Sequence, residues 1–125
     1  MKTTNSKEIV KEKEVKELKE LATLWMHESD NGFTYLSGNL SEDLQYKKII
    51  AFFNKTKKNE KEPDIRVYTL NDENKKDIDI ISLWIQESKE KKNYYSGLTN
   101  DKEKVIAFIS NTNDIKVPYL KIYFK

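Results

Sequence analysis

From residue 21 onward the apolar residues fall in runs of four to eight, rich in Tyr, Phe, Ile, Val and Thr and separated by Asp, Asn, Gly, Ser and Lys. That is the pattern of short β-strands joined by turns. Eight runs stand out: 22–29, 33–40, 48–53 and 65–70, then 78–88, 93–98, 104–110 and 119–124. Within the first, Leu24 and Met26 fall on one face and Trp25 and His27 on the other; the sixth-residue word recurs later with Leu83 and Ile85 opposite Trp84 and Gln86. The aliphatic face is expected to be core, because side chains alternate across a strand. Residues 41–47 fit one helical turn. The start of the chain differs. Met1–Ser6 is polar, and Lys7–Leu21 mixes Lys and Glu with only Ile9, Val10, Val15, Leu18 and Leu21 as large apolar groups. A short surface helix capped by Asn5 or Ser6 is expected there.

The two sets of four runs look like one unit written twice. Leu24–Ser29 (LWMHES) matches Leu83–Ser88 (LWIQES), and Tyr35–Gly38 (YLSG) matches Tyr94–Gly97 (YYSG), each at an offset of 59. Ile49–Asn54 then matches Val105–Ser110 at an offset of 56, and Pro63–Tyr68 matches Pro118–Tyr123 at 55. One copy of roughly fifty residues is too small for a comfortable core of its own. The expected fold class is therefore mainly β (α+β). A polar, helical segment 1–20 precedes two tandem, pseudo-twofold four-stranded antiparallel units, 21–70 and 78–125, joined by a linker 71–77. They pack into one body, as stacked sheets or as one closed barrel. Gly38 and Gly97 are expected to permit a bulge or a close backbone approach, and Gly32 a hairpin turn.

Composition narrows the chemistry. The 125 residues carry 23 Lys+Arg against 21 Asp+Glu, a formal charge of +2, with no cysteine and one histidine. Disulfides, thiolate nucleophiles and cysteine metal sites are excluded. His27, Ser29 and Asp30 are too close along one strand to form a relay, and the second copy has Gln86 in place of His27. There is no phosphate-cradling glycine loop and no clustered carboxylate motif. The expectation is a protein without enzymatic activity, cofactor or metal. No apolar run reaches the ~18–20 residues needed to span a bilayer, and no signal-peptide pattern opens the chain. A cytoplasmic protein without membrane contact is expected.

What remains is binding. Trp25, Tyr35, Trp84, Tyr94 and Tyr95 are candidates for stacking on bases or anchoring a protein interface. Lys57 and Lys58 lie in one basic loop, Lys91 and Lys92 in another, and Arg66 is the single arginine. One continuous positive face would favour nucleic acid; the low net charge favours a protein partner.

The order Leu-Trp-x-x-Glu-Ser (Leu24–Ser29), Tyr-x-Ser-Gly (Tyr35–Gly38), an Ala-Phe strand ending in Asn54, and Pro-Asp-x-Arg-Val-Tyr (Pro63–Tyr68) resembles a family of short, uncharacterised phage and plasmid proteins. Residues 21–70 match the pattern well, whereas the second copy replaces Asp64 and Arg66 by Tyr119 and Lys121. The resemblance implies a phage or plasmid origin, with the first copy as the bearer of any function in the family's ending, and the Lys-, Asn- and Ile-rich usage with one arginine suggests an AT-rich bacterial host or its phage. With the small size it implies an inhibitor of a bacterial defence system, foremost an anti-CRISPR protein binding a Cas effector stoichiometrically in the cytoplasm of an infected or element-carrying cell. The alternative is a single-stranded nucleic-acid-binding accessory protein of phage or plasmid replication.

Overall fold

The computed structural model describes residues 18–110 and 114–125. Eight strands follow one another: β1 (Glu20–Glu28), β2 (Thr34–Leu40), β3 (Lys48–Phe53), β4 (Ile65–Leu70), β5 (Lys76–Glu87), β6 (Asn93–Thr99), β7 (Lys104–Ile109) and β8 (Leu120–Phe124). Each pairs antiparallel with its sequence neighbours, and β8 returns to β1, so the sheet closes into one up-and-down barrel. Closure satisfies the edges that two stacked sheets would leave open.

The expected N-terminal helix falls mostly on residues outside those described; its last two positions, Glu20 and Leu21, belong to β1. Among the described residues the helical content is a single 3-10 turn, Glu42–Leu44, inside the segment read as one helical turn. The helical part of the expected α+β class is thus not seen there, and the mainly β, antiparallel part is. No helix among these residues is long and apolar enough to cross a membrane.

Alternation decides what fills the barrel. Leu24, Leu36, Ile49, Ile65, Val67, Ile81, Leu83, Val105, Leu120 and Ile122 are fully buried, with Ala22, Ala51 and Ala107 between them. Eight strands enclose a space just wide enough for side chains to fill. The alanines face bulky neighbours, as Ala51 does across the ladder from Leu36 and Val67. Two glycines let the wall bend. A Cβ on Gly38 would stand 1.9 Å from the Thr23 carbonyl oxygen, and one on Gly97 would stand 1.8 Å from that of Ser82. Both are the close backbone approach that the sequence suggested.

The ladders of β5–β8 join residues at the positions that match in β1–β4. Trp25 pairs with Ser37 as Trp84 does with Ser96, and Ile50 with Tyr68 as Ile106 with Tyr123. The closing seam joins Leu24 to Leu120, and the mid-chain seam joins Leu83 to Ile65. β4 departs from this regularity against β5, where the register shifts on both sides of Tyr68.

Candidate functional site

The outside of the barrel carries the chemistry. Positions that alternate with the buried ones in β1–β4 are Thr23, Trp25 and His27; Tyr35, Ser37 and Asn39; Lys48, Ile50 and Phe52; Arg66, Tyr68 and Leu70. In β5–β8 they are Ser82, Trp84 and Gln86; Tyr94, Ser96 and Leu98; Lys104, Ile106 and Phe108; Lys121 and Tyr123. None of these is Asp or Glu, although Asp79 and Glu20 are the ladder partners of the outward Tyr68 and Tyr123. Most of the other described carboxylates lie in the rim loops, interspersed with lysines, with Glu28, Asp77 and Glu87 toward strand ends. Two reach toward the wall: Asp79, held by Arg66 at 3.1 Å, and Glu20, which accepts a hydrogen bond from the Thr23 hydroxyl at 3.3 Å.

On the β1–β4 wall the aromatic rings form two groups, a pair and a row of three. His27 and Tyr35 are stacked with centroids 5.4 Å apart. Phe33 lies 6.0 Å from Phe52, and Phe52 lies 6.1 Å from Tyr68. The Lys76 ammonium sits 4.8 Å from the Tyr68 centroid and 5.8 Å from that of Phe52, a cation–π arrangement at the end of the row. On the β5–β8 wall Phe108 and Tyr123 repeat the Phe52–Tyr68 contact at 5.9 Å and nearly the same tilt, 57° against 58°. Tyr94, Phe108 and Ile109 there line a groove of about 630 Å³ together with Ser88, Lys91, Lys92 and Asn93 of the β5–β6 turn.

The tryptophans are held rather than free. The Trp25 indole N–H donates to the Lys116 carbonyl at 3.3 Å, and that of Trp84 to the Lys61 carbonyl at 3.1 Å. Each ring, half-buried on one half's first strand, pins the long loop of the other half. Around Trp84 the tie is reinforced by Asp64, whose carboxylate accepts the Ile85 N–H at 2.8 Å and pairs with Lys57 at 3.2 Å.

The candidate residues therefore separate. Tyr35, Arg66 and Tyr94 stand on the outer wall. Lys91 and Lys92 come together with Tyr94 at the groove. Lys57 is committed to Asp64, while Lys58 is exposed in the same loop, its backbone N–H donating to Glu62 at 2.7 Å. Tyr95 is inside the barrel, 6% exposed, in line with Leu36 of the first half. Burial, with lesser contributions from Tyr119 and Asp64, pushes its hydroxyl pKa up to about 12. The four lysines do not make one continuous positive face, since this rim also holds Glu60, Glu62 and Glu90 in its loops and Glu87 at the end of β5.

Phe33, Phe52, Tyr68, Lys76, Phe108 and Tyr123 were not among the residues singled out by sequence, which read the runs of the five aromatics simply as strands and Lys76 as part of the linker 71–77, where the structure starts β5. The signal for four of them was present. In Ile49–Phe53 and Val105–Ile109 the alternation puts alanine inside, so Phe52 and Phe108 must face out, and Tyr68 and Tyr123 alternate with Val67 and Ile122 in the same way.

Among the described residues no group of three or more His, Asp or Glu side chains is arranged to hold a metal ion. Compared with protein-family models, curated proteins and solved structures, the chain matches none.

Proposed function

We propose that the protein is a non-enzymatic binder of single-stranded nucleic acid, using the outer walls of its barrel as aromatic platforms. The observation that carries this reading is the coincidence, on outward strand positions, of aromatic rings and cations with few carboxylates: Asp79 beside Arg66 and Glu20 beside Thr23 are those that reach the walls. Tyr35, Phe52 and Tyr68 lie with Lys48 and Arg66 on one wall, and Tyr94, Phe108 and Tyr123 lie with Lys104 and Lys121 on the other. Every base has a π-face, so rings on a strand surface hold single strands of any sequence, while lysine and arginine meet the phosphates. We read the two walls as the outward faces of two tandem copies of one unit, a reading supported by the matched ladder registers. An accessory role in phage or plasmid replication, the alternative setting given above, is the one this reading fits.

A second reading rests on the low net charge. With +2 overall and carboxylates along both rims, the long-range pull on a polyanion is weak, and aromatic rings beside an arginine also make protein hot spots. In that reading the same walls occupy a partner protein, and the partner class implied by the resemblance is a bacterial defence effector such as a Cas nuclease.

Titration of a fluorescein-labelled ten-nucleotide dT oligomer separates the two. With three to four cations meeting phosphate, the slope of log affinity against log salt is about −2 to −3, so affinity falls about 15- to 60-fold between 50 and 200 mM salt. No binding at 50 mM salt would remove the nucleic-acid reading and leave the protein partner.

A further inference from the structure

The two β-hairpin turns at the loop-bearing rim are built alike and differ in one informative side chain. In the β1–β2 turn, Ser29 N–H donates to the Phe33 carbonyl at 2.8 Å, Gly32 N–H to the Ser29 carbonyl at 2.9 Å and Phe33 N–H to the Ser29 hydroxyl at 3.1 Å. In the β5–β6 turn, Ser88 N–H donates to the Lys92 carbonyl at 2.9 Å, Lys91 N–H to the Ser88 carbonyl at 2.9 Å and Lys92 N–H to the Ser88 hydroxyl at 3.1 Å. Gly32 and Lys91 both adopt positive φ, 82° and 61°. Phe33 and Lys92 therefore leave equivalent points of equivalent turns.

What they do next differs. Phe33 lays its ring against Phe52 on the outer wall. Lys92 supplies no ring to Phe108, the residue that matches Phe52, and a groove of about 630 Å³ floored by Tyr94 and Phe108 and bordered by Lys91 and Lys92 stands there. That volume is in the range of small-molecule sites. The first wall thus fills with its own phenyl ring a place that the second wall leaves open beside two lysines.

We propose that this groove is a nucleotide-insertion subsite: a base of a single strand lies against Phe108 as Phe33 lies against Phe52, and Lys91 and Lys92 meet its phosphates. The inference rests on the single-strand reading above and goes further, because it names one groove and one binding mode. It also makes the two walls unequal, the second accepting an inserted base and the first presenting a pre-filled surface.

The test is Lys92→Phe, which rebuilds the first wall's arrangement on the second with a side chain that the equivalent β1–β2 turn already accommodates. Binding of the dT decamer, and of an rU decamer in parallel, is measured by anisotropy at 50 mM salt, with far-UV circular dichroism as the folding check. Lys92→Phe is expected to weaken binding at least about tenfold by closing the groove, whereas Lys92→Ala, which removes the charge and leaves the groove open, weakens it about two- to fivefold. If Lys92→Phe does not fold, Phe108→Ala reads the same site, with a loss of about tenfold expected. Equal binding by the folded groove variant and the wild type would overturn the subsite while leaving the single-strand reading intact. Equal losses for Lys92→Phe and Lys92→Ala would overturn base insertion, since charge alone would then account for the effect. Failure of the wild type to bind either decamer would remove both proposals.

Discussion

Replacing Gly97 by alanine tests how the barrel is held. The new Cβ would lie 1.8 Å from the Ser82 carbonyl oxygen, 2.8 Å from its carbon and 3.0 Å from the Leu83 Cα. All three are backbone atoms of the adjacent strand, so no side chain can swing aside. An ordinary contact requires β5 and β6 to part by about 1.5 Å, which carries a ladder hydrogen bond beyond its useful length. Leu83 pairs with Gly97 here and is fully buried, so the parted groups have no water to turn to. Two ladder bonds at about 1 kcal/mol each, with strain of about 1–3 kcal/mol, give a loss of about 3–5 kcal/mol. That is a large share of the roughly 5–15 kcal/mol typical of a domain. Urea unfolding followed by far-UV circular dichroism and tryptophan emission measures it. Ser96→Ala, one residue along on the outward face, is the control and is expected within about 0.5 kcal/mol of wild type. A Gly97→Ala protein within about 1 kcal/mol of wild type would refute the close approach and with it the register of the β5–β6 ladder.

Two further outcomes follow from the interior and the clamps. Trp84→Phe removes the N–H that reaches the Lys61 carbonyl and should cost about 1 kcal/mol in the same assay, with Trp25→Phe costing a similar amount through Lys116; no change in either would show that the rings do not fasten the loops. Tyr95 ionises at about 12 in the folded chain against about 10 when unfolded, so the unfolded state loses its proton first. Its stabilising share is complete below pH 10 and is lost as pH rises toward 12, by up to about 2–3 kcal/mol. Burial of Tyr119 and Tyr123 acts in the same direction. Tyr95→Phe should flatten part of that alkaline slope in urea midpoints measured from pH 9 upward, and an unchanged slope would contradict the burial.

Most strand positions were legible because the period-2 pattern is strong: Ile65–Leu70 and Lys48–Phe53 occur where the runs placed them. Closure was not, since the seam between β1 and β8 joins residues about a hundred positions apart and no local pattern records it. The binding candidates were half legible. Tyr94 and Tyr95 are adjacent, so only one can face out, and alignment of Tyr95 with Leu36 marks it as the inward one. Lys57 looked like a free cation until the fold brought Asp64 to it. The aromatic walls were hidden by their own strands, where apolar residues on both faces resemble a buried β-run.

The most direct measurement of the central claim is where a single strand touches the protein. Backbone amide chemical shifts recorded while the dT decamer is added should move along the outward stretches of β2–β3–β4 and β6–β7–β8, and around Ser88–Asn93, with Thr69 and the rim turn at Asn71–Lys75 unchanged. Shifts confined to the rim loops, or absent at saturating oligomer, would contradict the account of the aromatic walls as the binding surface.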